Sequence, residues 1–110
     1  MWDMEAYATA EQKAWQAGYD VGVRAAKAAW EKDNYPHLRV IANRMSVHAR
    51  TRPLQGYQLV QISRDLMLLN DKFGISLHPN ELPEDPDLVQ TFVAGFVAGT
   101  LVAPEEEEEE

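Results

Sequence analysis

A narrow polar stripe near the amino terminus constrains this chain more than any other feature. Thr9, Lys13, Gln16, Asp20, Arg24, Lys27 and Glu31 follow one another at steps of 4, 3, 4, 4, 3 and 4, the period that lines side chains along one edge of an α-helix. The rest of the circumference is mostly apolar or small. Met4, Trp15, Tyr19, Val23 and Trp30 form one flank; Tyr7, Ala14, Val21, Ala25 and Ala28 form the other. A helix wetted on so narrow a stripe is expected to be packed on both sides, so residues 3 to 32 predict the spine of an all-α fold.

Three further helical segments follow. Asn34-Tyr35-Pro36 breaks the first helix, because a residue before proline avoids the helical region. Residues 37 to 50 then bury Leu38, Ile41, Ala42, Met45 and Ala49 at helical spacing, although the β-branched stretch within residues 38 to 47 also allows a strand. After Thr51-Arg52-Pro53 the stripe Leu59, Ile62, Leu66, Leu69, Phe73 predicts a third helix over residues 53 to 72, closed by Gly74 as a C-cap with Ile75 as its hydrophobic follower. Residues 75 to 85 form a proline-broken loop. Asp85 then caps a fourth helix that starts at Pro86, has Asp87 at the positive end of its dipole, and runs to about residue 102. The expected architecture is a compact bundle of about four helices in one domain, residues 1 to 103. The acidic tail of residues 104 to 110 is expected to be disordered, since six glutamates repel one another and build no core.

Charge is sorted by position. Arg39, Arg44, Arg50, Arg52 and Arg64 fall in a stretch without a carboxylate, and no basic residue follows Lys72. Without its six terminal glutamates the chain keeps 12 acidic against 10 basic side chains, a net charge of −2 rather than −8. The acidity is therefore largely a property of the tail. A basic middle and an acidic end imply an electrostatic partner, inside the chain or outside it.

The candidate partner-binding surface is a stripe of the second helix, Arg39, Asn43, Ser46 and Arg50 at spacings of 4, 3 and 4, with Arg44 beside it. These side-chain types recognise carboxylates, and they also contact phosphates and base edges. Helices two and three could form a helix-turn-helix, but its recognition helix would then present Gln58, Gln61 and Asp65 instead of arginines. A protein partner is expected ahead of a nucleic acid, the latter with the tail as an autoinhibitory competitor.

Small residues supply a second feature. Gly18, Gly22 and Ala26 on helix one, and Gly95 and Gly99 on helix four, recur every four residues. A glycine inside a helix costs about 1 kcal/mol relative to alanine, and close approach of another helix is the usual compensation. The ridges predict either a helix-packing seam within the chain or the seam of a homodimer.

Catalysis is not expected. There is no cysteine, and His37 and His48 share a helical face but lie eleven residues apart, roughly 16 Å, too far to hold one metal. His78 falls in a loop. No metal, cofactor or membrane span is expected, and without an apolar leader a cytoplasmic location is the default. Trp2 and Tyr35 are the aromatics expected to be exposed as anchors. The function expected is that of a small accessory, adaptor or inhibitor-like regulatory protein.

Overall fold

The computed structural model describes residues 4–50, 56–75, 77 and 81–102, with side chains from Thr9 onward. It contains four helices: α1 (Met4–Glu31), α2 (Tyr35–Ala49), α3 (Gly56–Phe73) and α4 (Pro86–Thr100). Residues 38 to 47 are thus helical throughout, and the strand alternative is overturned. Their apolar side chains recur at helical spacing, so Leu38, Ile41, Ala42 and Met45 all reach one core. The expected tail, residues 104 to 110, lies outside the described residues, as do His78 and Trp2.

Helix boundaries follow local chemistry. α1 stops where Asp33 takes a left-handed conformation (φ 57°) and Asn34 N–H reaches back to the Ala29 carbonyl at 2.8 Å, a glycine-type cap made with aspartate. Gly74 ends α3 at φ 62° with its N–H on the Asn70 carbonyl at 2.8 Å. Asp85 caps α4 as its sequence predicts, accepting from Asp87 N–H at 2.9 Å.

Helix directions come from paired positions. Gly18 lies against Phe92 and Gly22 against Phe96, so α1 and α4 run parallel. α2 is antiparallel to α4, with Arg39 at Thr100 and the Ala49 carbonyl at Gln90. It is also antiparallel to α3, with Arg44 at Asp65 and His37 edge-on to Phe73. A bundle alternating up and down would make α1 and α4 antiparallel. Their parallel pairing requires the segment after Gly74 to carry the chain back to the end where α1 enters. That requirement accounts for the long connection before α4. Arg24 fastens it, donating to the Ile75 carbonyl at 3.2 Å and to Glu81 at 2.8 Å, while Ile75, Leu77 and Leu82 pack onto the core.

The core is one cluster in which Val21, Ala25 and Ala29 of α1 meet Leu38, Ile41 and Met45 of α2, Ile62, Leu66 and Leu69 of α3, and Val89, Phe92 and Phe96 of α4. The two flanks of α1 differ from expectation. The Ala14, Val21, Ala25 side is buried, but Trp15 and Trp30 on the other side remain 37% and 46% exposed. Among the described residues no further helix covers that side, and the aromatics cover one another instead. Trp15 stacks on Tyr19 at 5.1 Å and Trp30 on Tyr35 at 4.5 Å. Tyr35 is consequently not an exposed anchor, since its hydroxyl also donates to the Thr100 carbonyl at 2.6 Å.

Candidate functional site: the faces of α2 and its neighbours

The small-residue ridges meet each other inside one chain. A Cβ added at Gly18, Gly22, Gly95 or Gly99 would lie closer than 3.0 Å to main-chain atoms of the facing helix: Phe92 and Phe96 for the first two, Trp15 and Tyr19 for the last two. Real Cβ atoms essentially never come so close. All four glycines are buried, and Ala26 joins the core at 2% exposure. The four glycines thus lie at the contact between α1 and α4 of one chain. The backbone surface they open is occupied by the facing helix of the same chain.

The arginine stripe of α2 is divided among different tasks. Arg39 is half-buried and donates from Nη1 to the Thr100 hydroxyl at 3.0 Å, while that hydroxyl donates to the Val97 carbonyl at 2.7 Å. Thr100 is fully buried. Together Arg39 and Tyr35 hold the carboxyl end of α4, where a cation also complements the helix dipole. Arg44 turns the other way. Its Nη2 and Nε donate to Asp65 at 2.7 and 3.1 Å, a forked pair with a carboxylate that is nearly buried. Asp65 in return pushes the Arg44 pKa further above its ordinary value, through the hydrogen bonds first and its charge second. Asn43 and Arg50 are exposed and Ser46 is half-buried.

Two of the five expected binding residues are thus anchored by structural partners. The partner of Arg44 was detectable in the sequence, because Asp65 stands inside the apolar stripe between Ile62 and Leu66, and a carboxylate carried into a core calls for a cation. Arg39 had no such signal, since Thr100 lies 61 positions away. Gln58 and Asp65, whose presence in place of arginines spoke against a recognition helix, are both buried.

What α3 presents outward is a stripe directly opposite its buried face: Tyr57, Val60, Arg64 and Met67, at steps of 3, 4 and 3. α2 does the same with Val40, Asn43, Arg44 and Val47. Val40, Val47, Tyr57, Val60 and Met67 are each at least half exposed. The antiparallel α2–α3 pair therefore carries a two-helix outer face of large apolar side chains interspersed with arginines.

A second surface lies on the opposite flank of α2. A groove between α2 and α4 is lined by Ser46, Ala49 and Arg50 on one wall and Gln90, Val93, Ala94 and Val97 on the other. Gln90 bridges its far end by donating to the Ala49 carbonyl at 2.6 Å. Among the described residues no group of three or more acidic or histidine side chains is placed to hold a metal, and no helix is long and apolar enough to cross a membrane. Comparison of the chain with the models of known protein families, with curated proteins and with solved structures finds no match.

Proposed function

We propose that this protein is a non-enzymatic interaction module that docks a partner protein on the outer face of the α2–α3 pair. One observation carries the reading: Val40, Val47, Tyr57, Val60 and Met67 stand exposed on two adjacent helices, on the sides facing away from the core. Scattered exposed apolar residues are ordinary on any protein. Residues aligned at helical spacing across two neighbouring helices form a patch, and patches mark interaction sites. Arg64, Asn43 and the exposed edge of Arg44 punctuate the patch, and the exposed carboxylate of Asp71 bounds it at the carboxyl end of α3. The complementary partner is an amphipathic helix with an apolar stripe and acidic flanks. The ion pairs within the fold, Arg24–Glu81 and Arg44–Asp65, hold the connection and the α2–α3 pair.

The test compares cross-linked partners of the native chain with those of Val47→Glu/Met67→Glu and of Arg50→Glu, identified by mass spectrometry. A partner lost only with the Val47/Met67 variant supports the reading, and one retained by it refutes the reading. Sedimentation equilibrium is run alongside. A dimer that dissociates on Met67→Glu would mean that the face binds a second copy rather than a different protein.

A further inference from the structure

The open flank of α1 carries an aromatic stack near each end, Trp15 on Tyr19 and Trp30 on Tyr35. Trp15 and Trp30 are fifteen residues apart along the helix, about 22 Å. Half-buried Val23 stands between them, and Gln16, Asp20, Lys27 and Glu31 form an exposed edge beside them. Asp20 and Lys27 are two turns apart and therefore share that edge. Tryptophan and tyrosine are the side chains that most often carry binding energy at protein interfaces. A partner that covers both stacks at once must be straight and about as long as α1.

The charges beside the stacks identify such a partner. Set antiparallel to a second copy of itself about a two-fold axis at Val23–Arg24, α1 places Asp20 opposite Lys27 of that copy and Gln16 opposite Glu31. Trp15 then meets the exposed Lys32 of the copy, a cation over an indole. A two-fold contact is isologous, so each of these pairings occurs twice. No like charges oppose one another in this register, and Lys13 comes opposite Asn34. The alternatives are penalised. A parallel pairing puts Asp20 on Asp20 and Lys27 on Lys27. Sliding the antiparallel copies by one turn towards their carboxyl ends opposes Asp20 to Glu31 and Arg24 to Lys27. Like charges held opposite each other suppress a wrong register.

We infer that α1 pairs antiparallel with α1 of a second copy of this chain, through the aromatic flank that its own bundle leaves open. Each Trp15–Tyr19 stack lies near the Trp30–Tyr35 stack of the other copy, and the two Asp20–Lys27 pairs fix the register. The glycine seam keeps its place inside each copy, since α4 sits on a different side of α1. No residue of the α2–α3 outer face enters the contact. The inference therefore stands independently of the function proposed above, and Met67→Glu should leave this dimer intact.

The test uses charge variants of the full chain in sedimentation equilibrium. The native chain should dimerise at concentrations below about 1 mM. Asp20→Lys and Lys27→Asp each oppose like charges across the axis, and each should weaken self-association by about tenfold or more. Both positions are exposed, so helicity by circular dichroism should not change. Mixed in equal amounts, the two variants should associate as the native chain does, because each supplies the charge the other lacks. The chain has no native cysteine, so the register is read by oxidation. Val23→Cys should form a disulfide-linked dimer, whereas Gln12→Cys, roughly 34 Å from its counterpart across the axis, should not. A native chain that stays monomeric would overturn the inference, as would a mixture no more associated than its components. Cross-linking through Gln12→Cys in place of Val23→Cys would overturn the antiparallel register. A dimer lost in Met67→Glu and kept in Asp20→Lys would overturn the assignment to α1.

Discussion

Along the α1–α4 contact, Gly18, Gly22, Gly95 and Gly99 let two backbones touch. α2 and α3 instead meet through side chains, with Arg44 reaching across to Asp65. The first contact is closed on itself, because removing Cβ atoms creates a concave surface that only another helix backbone can fill. The second is closed on the core side only, and its outer side shows Val40, Val47, Tyr57, Val60 and Met67. The comparison teaches where to look for interaction in a small helical protein. The small-residue seam looks like an assembly motif and serves the interior, while the surface left for partners is built from large side chains that the core does not need.

The largest effect expected from breaking this contrast is at the seam. Gly22→Ala forces a Cβ into the main chain of α4 around Phe96, where no side chain can move aside. A loss on the order of 3 kcal/mol is expected in denaturant unfolding, at the upper end of overpacking costs. A loss under about 0.5 kcal/mol would mean that the two backbones separate easily and the seam is not specified by its glycines.

Next comes the α2–α3 tie. Arg44→Ala leaves the Asp65 carboxylate nearly buried and unpaired, with an expected cost of about 2 kcal/mol, reduced from the fully buried case because Arg44 itself is partly exposed. The double variant Arg44→Met/Asp65→Leu should recover most of that loss, and failure to recover would point to a role for the pair beyond charge compensation. Since Asp65 raises the Arg44 pKa above its ordinary value, the sign is fixed on the alkaline side. The arginine's contribution is complete below its ordinary pKa and is lost only as pH climbs through the raised folded value. No alkaline transition below pH about 10 should disappear in Arg44→Ala.

Smaller changes sharpen the comparison. Arg39→Ala removes a hydrogen bond and a cation at the end of α4, for about 1 kcal/mol. If Arg39 were only a surface residue, its loss would be silent. Asp33→Gly relieves a left-handed aspartate and should stabilise the fold by about 0.5 kcal/mol, read as a rise in Tm. At the bottom of the scale, Val47→Glu/Met67→Glu should change stability by under about 0.5 kcal/mol while abolishing partner capture. A large destabilisation there would show that the outer face is part of the core.

The four helices were legible in the residues themselves. The apolar stripes of α2 and α3, the proline breaks, Gly74 and the Asp85 cap are all local, and the observed boundaries lie within a few positions of where those signals stand. The candidate site was legible only in part. Residue spacing put Arg39, Asn43, Ser46 and Arg50 on one side of α2, which the helix keeps. It carried no information on which guanidinium would be claimed from another element, because Thr100 and Asp65 reach Arg39 and Arg44 only after the chain has turned back on itself.

The amino-acid sequence by itself therefore determined helix content, the buried stripe of each helix and the need for close backbone approach at the glycines, since these depend on contacts within a few residues. Tertiary structure alone decided that α1 and α4 run parallel and satisfy each other's glycines. It also decided that two arginines are anchored while Arg50 lines a groove, and that the apolar side chains left over gather on the α2–α3 outer face. The physical reason is one of range. Periodicity reports the direction in which a side chain leaves its own helix, and the chain path after residue 74 determines what it meets there.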